Sequence, residues 1–182
     1  MKRIAGSVVV LGFMTAFAVA QEASAHGGAA SPAAGGLPLG HLAAWVGKYP
    51  GGEVDADRQA RPGRSFFEDP AVLPSLKAML PEDALRAMLK GWPDGRVEIP
   101  VEREGDVIKA SFCKPHACPL ENAAVFVNIR TGGVAACWKR YDAPKDVSSA
   151  FWHAPGAPAK ALDPGDDCYA EGMGLYLKYG SK

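Results

Sequence analysis

The sequence predicts an α+β domain: an antiparallel β-sheet meander with helices packed on it, held by two disulfides. Three observations lead there. Apolar residues recur at helical spacing up to Gly91, the period changes to two after Gly95, and four cysteines are available as staples.

The chain opens with a basic Met1-Lys2-Arg3, a mainly apolar run from Ile4 to Val19, and then small residues, the pattern of a secretory signal peptide over residues 1–25. Cleavage is expected after Ala23-Ser24-Ala25, with Ala18-Val19-Ala20 as the alternative, and leaves about 157 residues, enough for one domain with a core. The apolar run, broken by Gly6 and Gly12, is short for a membrane span, and no second stretch of spanning length follows. Residues 26–40, "HGGAASPAAGGLPLG", read as a flexible tether and 41–182 as the folded domain. Export implies the periplasm or the cell exterior, where cysteines pair.

Leu42, Trp45 and Val46 share one face of a short helix that "KYPGGEVD" stops, and a polar loop runs from Ala56 to Ser65. Asp69 is placed to cap a helix beginning at Pro70, with Leu73, Leu76 and Leu80 as its stripe. A second helix runs from Pro81 to Lys90-Gly91, acidic in its first turn and basic in its last, with Leu85, Met88 and Leu89 facing the core. Val97, Ile99 and Val101, then Ile108, Ala110 and Phe112, alternate about the turn "REGD". Ala124 to Ile129 and Val134 to Trp138 form a second pair about "RTGG". Residues 142–182, rich in Pro, Gly and Asp, are expected to wrap the sheet rather than extend it, pinned by Cys168.

Without the signal peptide the chain carries 18 basic and 19 acidic side chains, which excludes a nucleic-acid binder on charge. Gly-x-Ser-x-Gly, His-Glu-x-x-His and phosphate-binding glycine loops are absent, and "GMGLYLKYG" lacks the spacing and the preceding strand of a nucleotide site, so the expectation is a binding protein, not an enzyme, with no cofactor. Trp152-His153 reads as packing and His41 as a cap or a solvated side chain. An amino-terminal His26 could bind copper, but no second histidine is held beside it.

The chemistry concentrates in "SFCKPHACPL", residues 111–120. Four cysteines allow three connectivities; pairing neighbours gives Cys113-Cys118 and Cys137-Cys168. A ring closed over six residues adds only about 2 kcal/mol, so its use lies in shape: with Pro115 it presents Lys114 and His116 in one arrangement. A metal site would need reduced thiolates in an oxidising compartment and a fourth ligand, so no metal is expected. A redox pair would need closer spacing and a helix start. A solvated surface loop is the plain alternative.

"CKPHAC", with "NAAVFVNI" after it, resembles the loop of the bacterial inhibitor-of-vertebrate-lysozyme (Ivy) family, and the likeness runs from near Leu80 through Trp138. "KYP", "FFEDPAV" and "PGDDC" are similar to a group of secreted relatives that share the loop. The resemblance implies an Ivy-like fold and a periplasmic or secreted inhibitor of C-type lysozyme or another muramidase. It also implies a loop closed by Cys113 and Cys118 that enters the substrate cleft, with His116 directed at the catalytic carboxylates and Lys114, Pro115 and Ala117 around it. Such a cleft holds one protonated and one ionised carboxyl, and an imidazole between them can hydrogen-bond both. Ala117 stands where the family pattern has Asp, so a carboxylate for the lysozyme rim is missing. Some family members dimerise, which makes a homodimer a further option, and a cell-envelope interaction protein using the same fold for a non-lysozyme partner is the alternative function.

Overall fold

A computed structural model of the chain describes residues 39–51, 65–169 and 173–180; the expected signal peptide, most of the tether, the polar loop at 56–64 and Gly172 lie outside the described residues. Six strands form one antiparallel sheet in sequence order: β1 (Val97–Glu104), β2 (Val107–Cys113), β3 (Asn122–Asn128), β4 (Val134–Asp142), β5 (Val147–His153) and β6 (Lys160–Ala161). The meander and both expected cysteine pairs are present.

Alternation along the strands divides two cores. Ile108, Ala110, Phe112, Ala123, Val125, Val127, Ala136 and Trp138 face α1 (Leu73–Met79), α2 (Glu82–Lys90) and the 3-10 turns Gly40–Trp45 and Phe66–Glu68. Ala124, Phe126, Ala135, Cys137 and Trp152 face the other way, against Cys168, Met173 and Leu175 of the C-terminal segment. Both faces of β2 and β3 are therefore buried; β3 reads as a nearly continuous apolar run, whereas β2 alternates and buries Lys109 and Ser111 between its apolar residues.

The helices follow their sequence signals with one shift. Pro81 precedes α2, and Gly91, at φ 74°, ends it in a conformation that glycine adopts without strain. Arg96 Nη1 also donates to Met88 O near that end at 2.6 Å. Ala84, Ala87 and Met88 are buried, whereas Leu85 and Leu89 are only partly covered. Asp69 does act at a chain turn, accepting the Ala71 N–H at 2.9 Å, but α1 proper begins only at Leu73. Its buried stripe is Val72, Leu76 and Leu80, with Leu73 half-buried.

Three expectations are corrected. Residues 142–182 do not merely wrap the sheet: β4 continues to Asp142, Ala143–Lys145 turns the chain with Asp146 at φ 54°, and β5 and β6 extend the sheet. The breakers that suggested a loop flank this strand, while Val147 to His153 carries none and holds Phe151 and Trp152. In β1, register shifts between Ile99 and Glu102, at Pro100, which has no amide hydrogen to give. The bulge buries Val101 and leaves Val97 42% exposed, so the expected simple alternation fails there. Val46 does not join Leu42 in the core; it bridges Val101 and, with Gly47 and Lys48, covers the free edge of β1. Leu39 is already docked, its N–H donating to Ile129 O at 2.7 Å.

His153 is 6% exposed, hydrogen-bonded to the Met79 backbone, with Nε2 unpartnered and the Asp83 carboxylate acting on it. Burial outweighs that bond and the Asp83 carboxylate, and holds its imidazole below the usual histidine value. The unfolded chain then takes up a proton that the fold resists, so this contribution to stability is full above about pH 6.5 and falls as the pH drops. Denaturant titrations between pH 7.5 and 5 are expected to show this acid loss, and His153→Gln to flatten it.

Candidate functional site

β2 ends at Cys113 and β3 begins at Asn122, its register partner, so the connection between them starts from a pair fixed in the buried centre of the sheet. The Lys114 N–H donates to Glu121 O at 3.0 Å and closes the neck. Lys114 O accepts the Ala117 N–H at 3.1 Å, which makes Lys114 to Ala117 a four-residue turn. Pro115 sets φ at the second position, and His116, at φ 60°, takes the left-handed third position, the arrangement of a type II turn. Histidine is among the non-glycine residues that tolerate this region. Ala117 O then accepts from Leu120 N at 2.8 Å and Glu121 N at 2.9 Å, and the Cys113–Cys118 bridge locks the ring.

The turn places the His116 side chain in solvent, with Lys114, Pro115, Ala117 and Cys118 half-covered beneath it and Cys113 fully buried. Pro119 and the 41% exposed Leu120 form an apolar shoulder on the same loop, and Val97 is exposed on the strand opposite Cys113. Lys114 is not a free cation: its Nζ lies 2.6 Å from Glu121 Oε1, so its charge is balanced inside the loop. Sequence reasoning passed over Glu121, whose partner seven residues away becomes adjacent only when the neck closes. With both sulfurs oxidised the loop offers no thiolate to a metal or to disulfide exchange. Among the described residues, no group of three or more histidine, cysteine or carboxylate side chains is placed to hold a metal ion.

His41 lies at the surface, its Nε2 3.2 Å from Asp69, and Trp152 and His153 are packed inside. Cys137–Cys168 joins β4 to the C-terminal segment across a separation of 31 residues.

The family model described as inhibitor of vertebrate lysozyme (Ivy) matches residues 70–163, about half the chain. The chain belongs to the Ivy family. Ivy proteins are lysozyme inhibitors, not enzymes, and lysozyme inhibition is the activity that membership assigns to the chain. The matched residues run from the turn before α1 past β6 and include the whole Cys113–Cys118 loop; Asp167 and Cys168 lie beyond them. No curated protein and no solved structure matches the chain. Among the described residues, no helix is long and apolar enough to cross a membrane.

The two bridges should separate in their effects on stability. Closing six residues limits the unfolded chain by about 2 kcal/mol, and closing some thirty limits it by about 4 kcal/mol. Urea unfolding of Cys113→Ser/Cys118→Ser and of Cys137→Ser/Cys168→Ser is expected to show the second loss as the larger.

Proposed function

We propose that the Cys113–Cys118 loop is the inhibitory element, and that it docks in the substrate cleft of a C-type lysozyme or a related muramidase with His116 between the two catalytic carboxyls. The observation that carries this reading is the exposed imidazole at the apex of a turn fixed by Pro115, by four backbone hydrogen bonds and by a disulfide. A loop ordered before contact loses little freedom on binding. In a cleft that excludes water, an imidazole can donate to the ionised carboxylate and share a hydrogen bond with the protonated one. The inhibitor supplies no reacting group, and its peptide ring is not a bond that a glycosidase cuts.

The protein acts outside the cytoplasm in this reading. Support comes from the basic and apolar amino-terminal pattern and from two disulfides, which persist in oxidising compartments.

The loop surface around His116 is close to neutral, because Lys114 pairs with Glu121 and position 117 carries no carboxylate. Affinity then rests on fit, on the apolar shoulder of Pro119 and Leu120, and on the imidazole, with little long-range steering. Lysozyme assays against the purified mature protein are expected to show inhibition at micromolar concentration or below. His116→Ala should weaken it by about thirtyfold or more, the loss typical of a central anchor residue. Lysozyme left fully active by the unaltered protein overturns the reading. Ala117→Asp is expected to speed association with a strongly basic lysozyme at low ionic strength, and added salt should remove that gain.

A further inference from the structure

Behind the loop runs a chain of polar contacts that neither the turn nor its bridge requires. Asn122, fully buried, donates from Nδ2 to Cys118 O at 2.6 Å, and the same nitrogen lies 3.3 Å from both carboxylate oxygens of Asp167. Asp167 Oδ2 is 2.6 Å from Lys139 Nζ, and Oδ1 accepts the Tyr169 N–H at 2.8 Å. Lys139 is the register partner of Asn122, so both side chains stand on one face of the sheet. Asp167 reaches that face from the segment that Cys168 anchors to Cys137 on β4.

The amide has one orientation that works. Its two hydrogens serve Cys118 O and Asp167, and rotating it would set the amide oxygen against both acceptors. The cost is visible in Asn122 Oδ1, which is buried with no hydrogen-bond partner. Such an arrangement holds only if the nitrogen side is strongly favoured, and an ionised carboxylate does that. Burial pushes the Asp167 carboxyl up, but the hydrogen bonds from Lys139, the Tyr169 N–H and Asn122 outweigh it and hold the group below its ordinary value.

We propose that Asp167 is a positioning residue for the docking loop: its carboxylate, fixed by Lys139 and by the adjoining Cys137–Cys168 bridge, aims the Asn122 amide at Cys118 O and so immobilises the carboxyl end of the ring. The consequence for inhibition rests on the docking reading above; the mechanical coupling does not. The second bridge thereby ties a segment beyond the residues that the family model matches to Cys137 within them, and cutting it frees the segment that carries Asp167.

Amide hydrogen exchange on the full chain tests this, together with lysozyme inhibition. In Asp167→Ala, with both bridges intact, the amides of Ala117, Leu120 and Glu121 should exchange about tenfold faster or more, while Ala110 and Val125 in the centre of the sheet stay protected. Inhibition should weaken by about tenfold, as expected when a preordered loop is loosened. Asp167→Asn, which keeps one acceptor oxygen but loses the charge facing Lys139, should shift the same amides less. Cys137→Ser/Cys168→Ser should shift them as Asp167→Ala does. Loop amides that exchange at the unaltered rate in both Asp167 variants overturn the proposal, as does loss of protection that is equal in the loop and the sheet centre. Loop amides that respond in a protein that leaves lysozyme untouched sustain the positioning role and defeat only the docking reading.

Discussion

The antiparallel pairing of β2 with β3 is the constraint on which the rest depends. Its register sets Cys113 opposite Asn122 at the last rung of a hairpin buried on both faces, so the connection beyond it leaves from a base that cannot shift without disturbing two cores. Eight residues span that base. Within them a proline, a left-handed histidine, four backbone hydrogen bonds and a bridge leave the loop a single path. The sheet acts as a mount and the ring as the part that is mounted.

The two disulfides divide different work. The short one shapes a loop and adds little to stability, because six residues have little freedom to lose. The long one holds the C-terminal segment on the face opposite the helices, where Met173 and Leu175 complete the second core. Asp167 is the point at which these tasks meet: the segment that closes the second core also carries the carboxylate that reaches under the loop. Charge follows the same pattern of internal settlement, with Lys114 matched by Glu121 and Lys139 by Asp167, so the loop surface presents shape and one imidazole rather than a field.

Much of the fold was legible because local signals agreed with it. α2 carries a proline before its start, acids in its first turn and glycine at its end, and β2 to β4 alternate about turns with their own residues. Reading failed where a distant partner decided the outcome. β5 lies among prolines, glycines and aspartates, and its pairing with β4 is set by residues that look exposed and polar in the chain. Val97 and Val101 share a period, yet the bulge at Pro100 sends one outward and the other into the core. Nothing near Lys114 or Asn122 announces Glu121 or Asp167, since hydrogen bonds between side chains 7 and 45 positions apart leave no local pattern.

The sequence by itself determined the components of the site: two cysteines five apart, a proline to set one dihedral, a histidine after it, an alanine where the Ivy pattern has aspartate, and the family to which they belong. These are properties of neighbouring residues, and short-range geometry follows from residue type. Only the tertiary structure decided that the loop's lysine is neutralised, that the imidazole faces solvent, and that a carboxylate beside the second bridge stands behind the ring. Those outcomes depend on which strands pair and on which segment covers each face, and burial of the whole chain settles that competition.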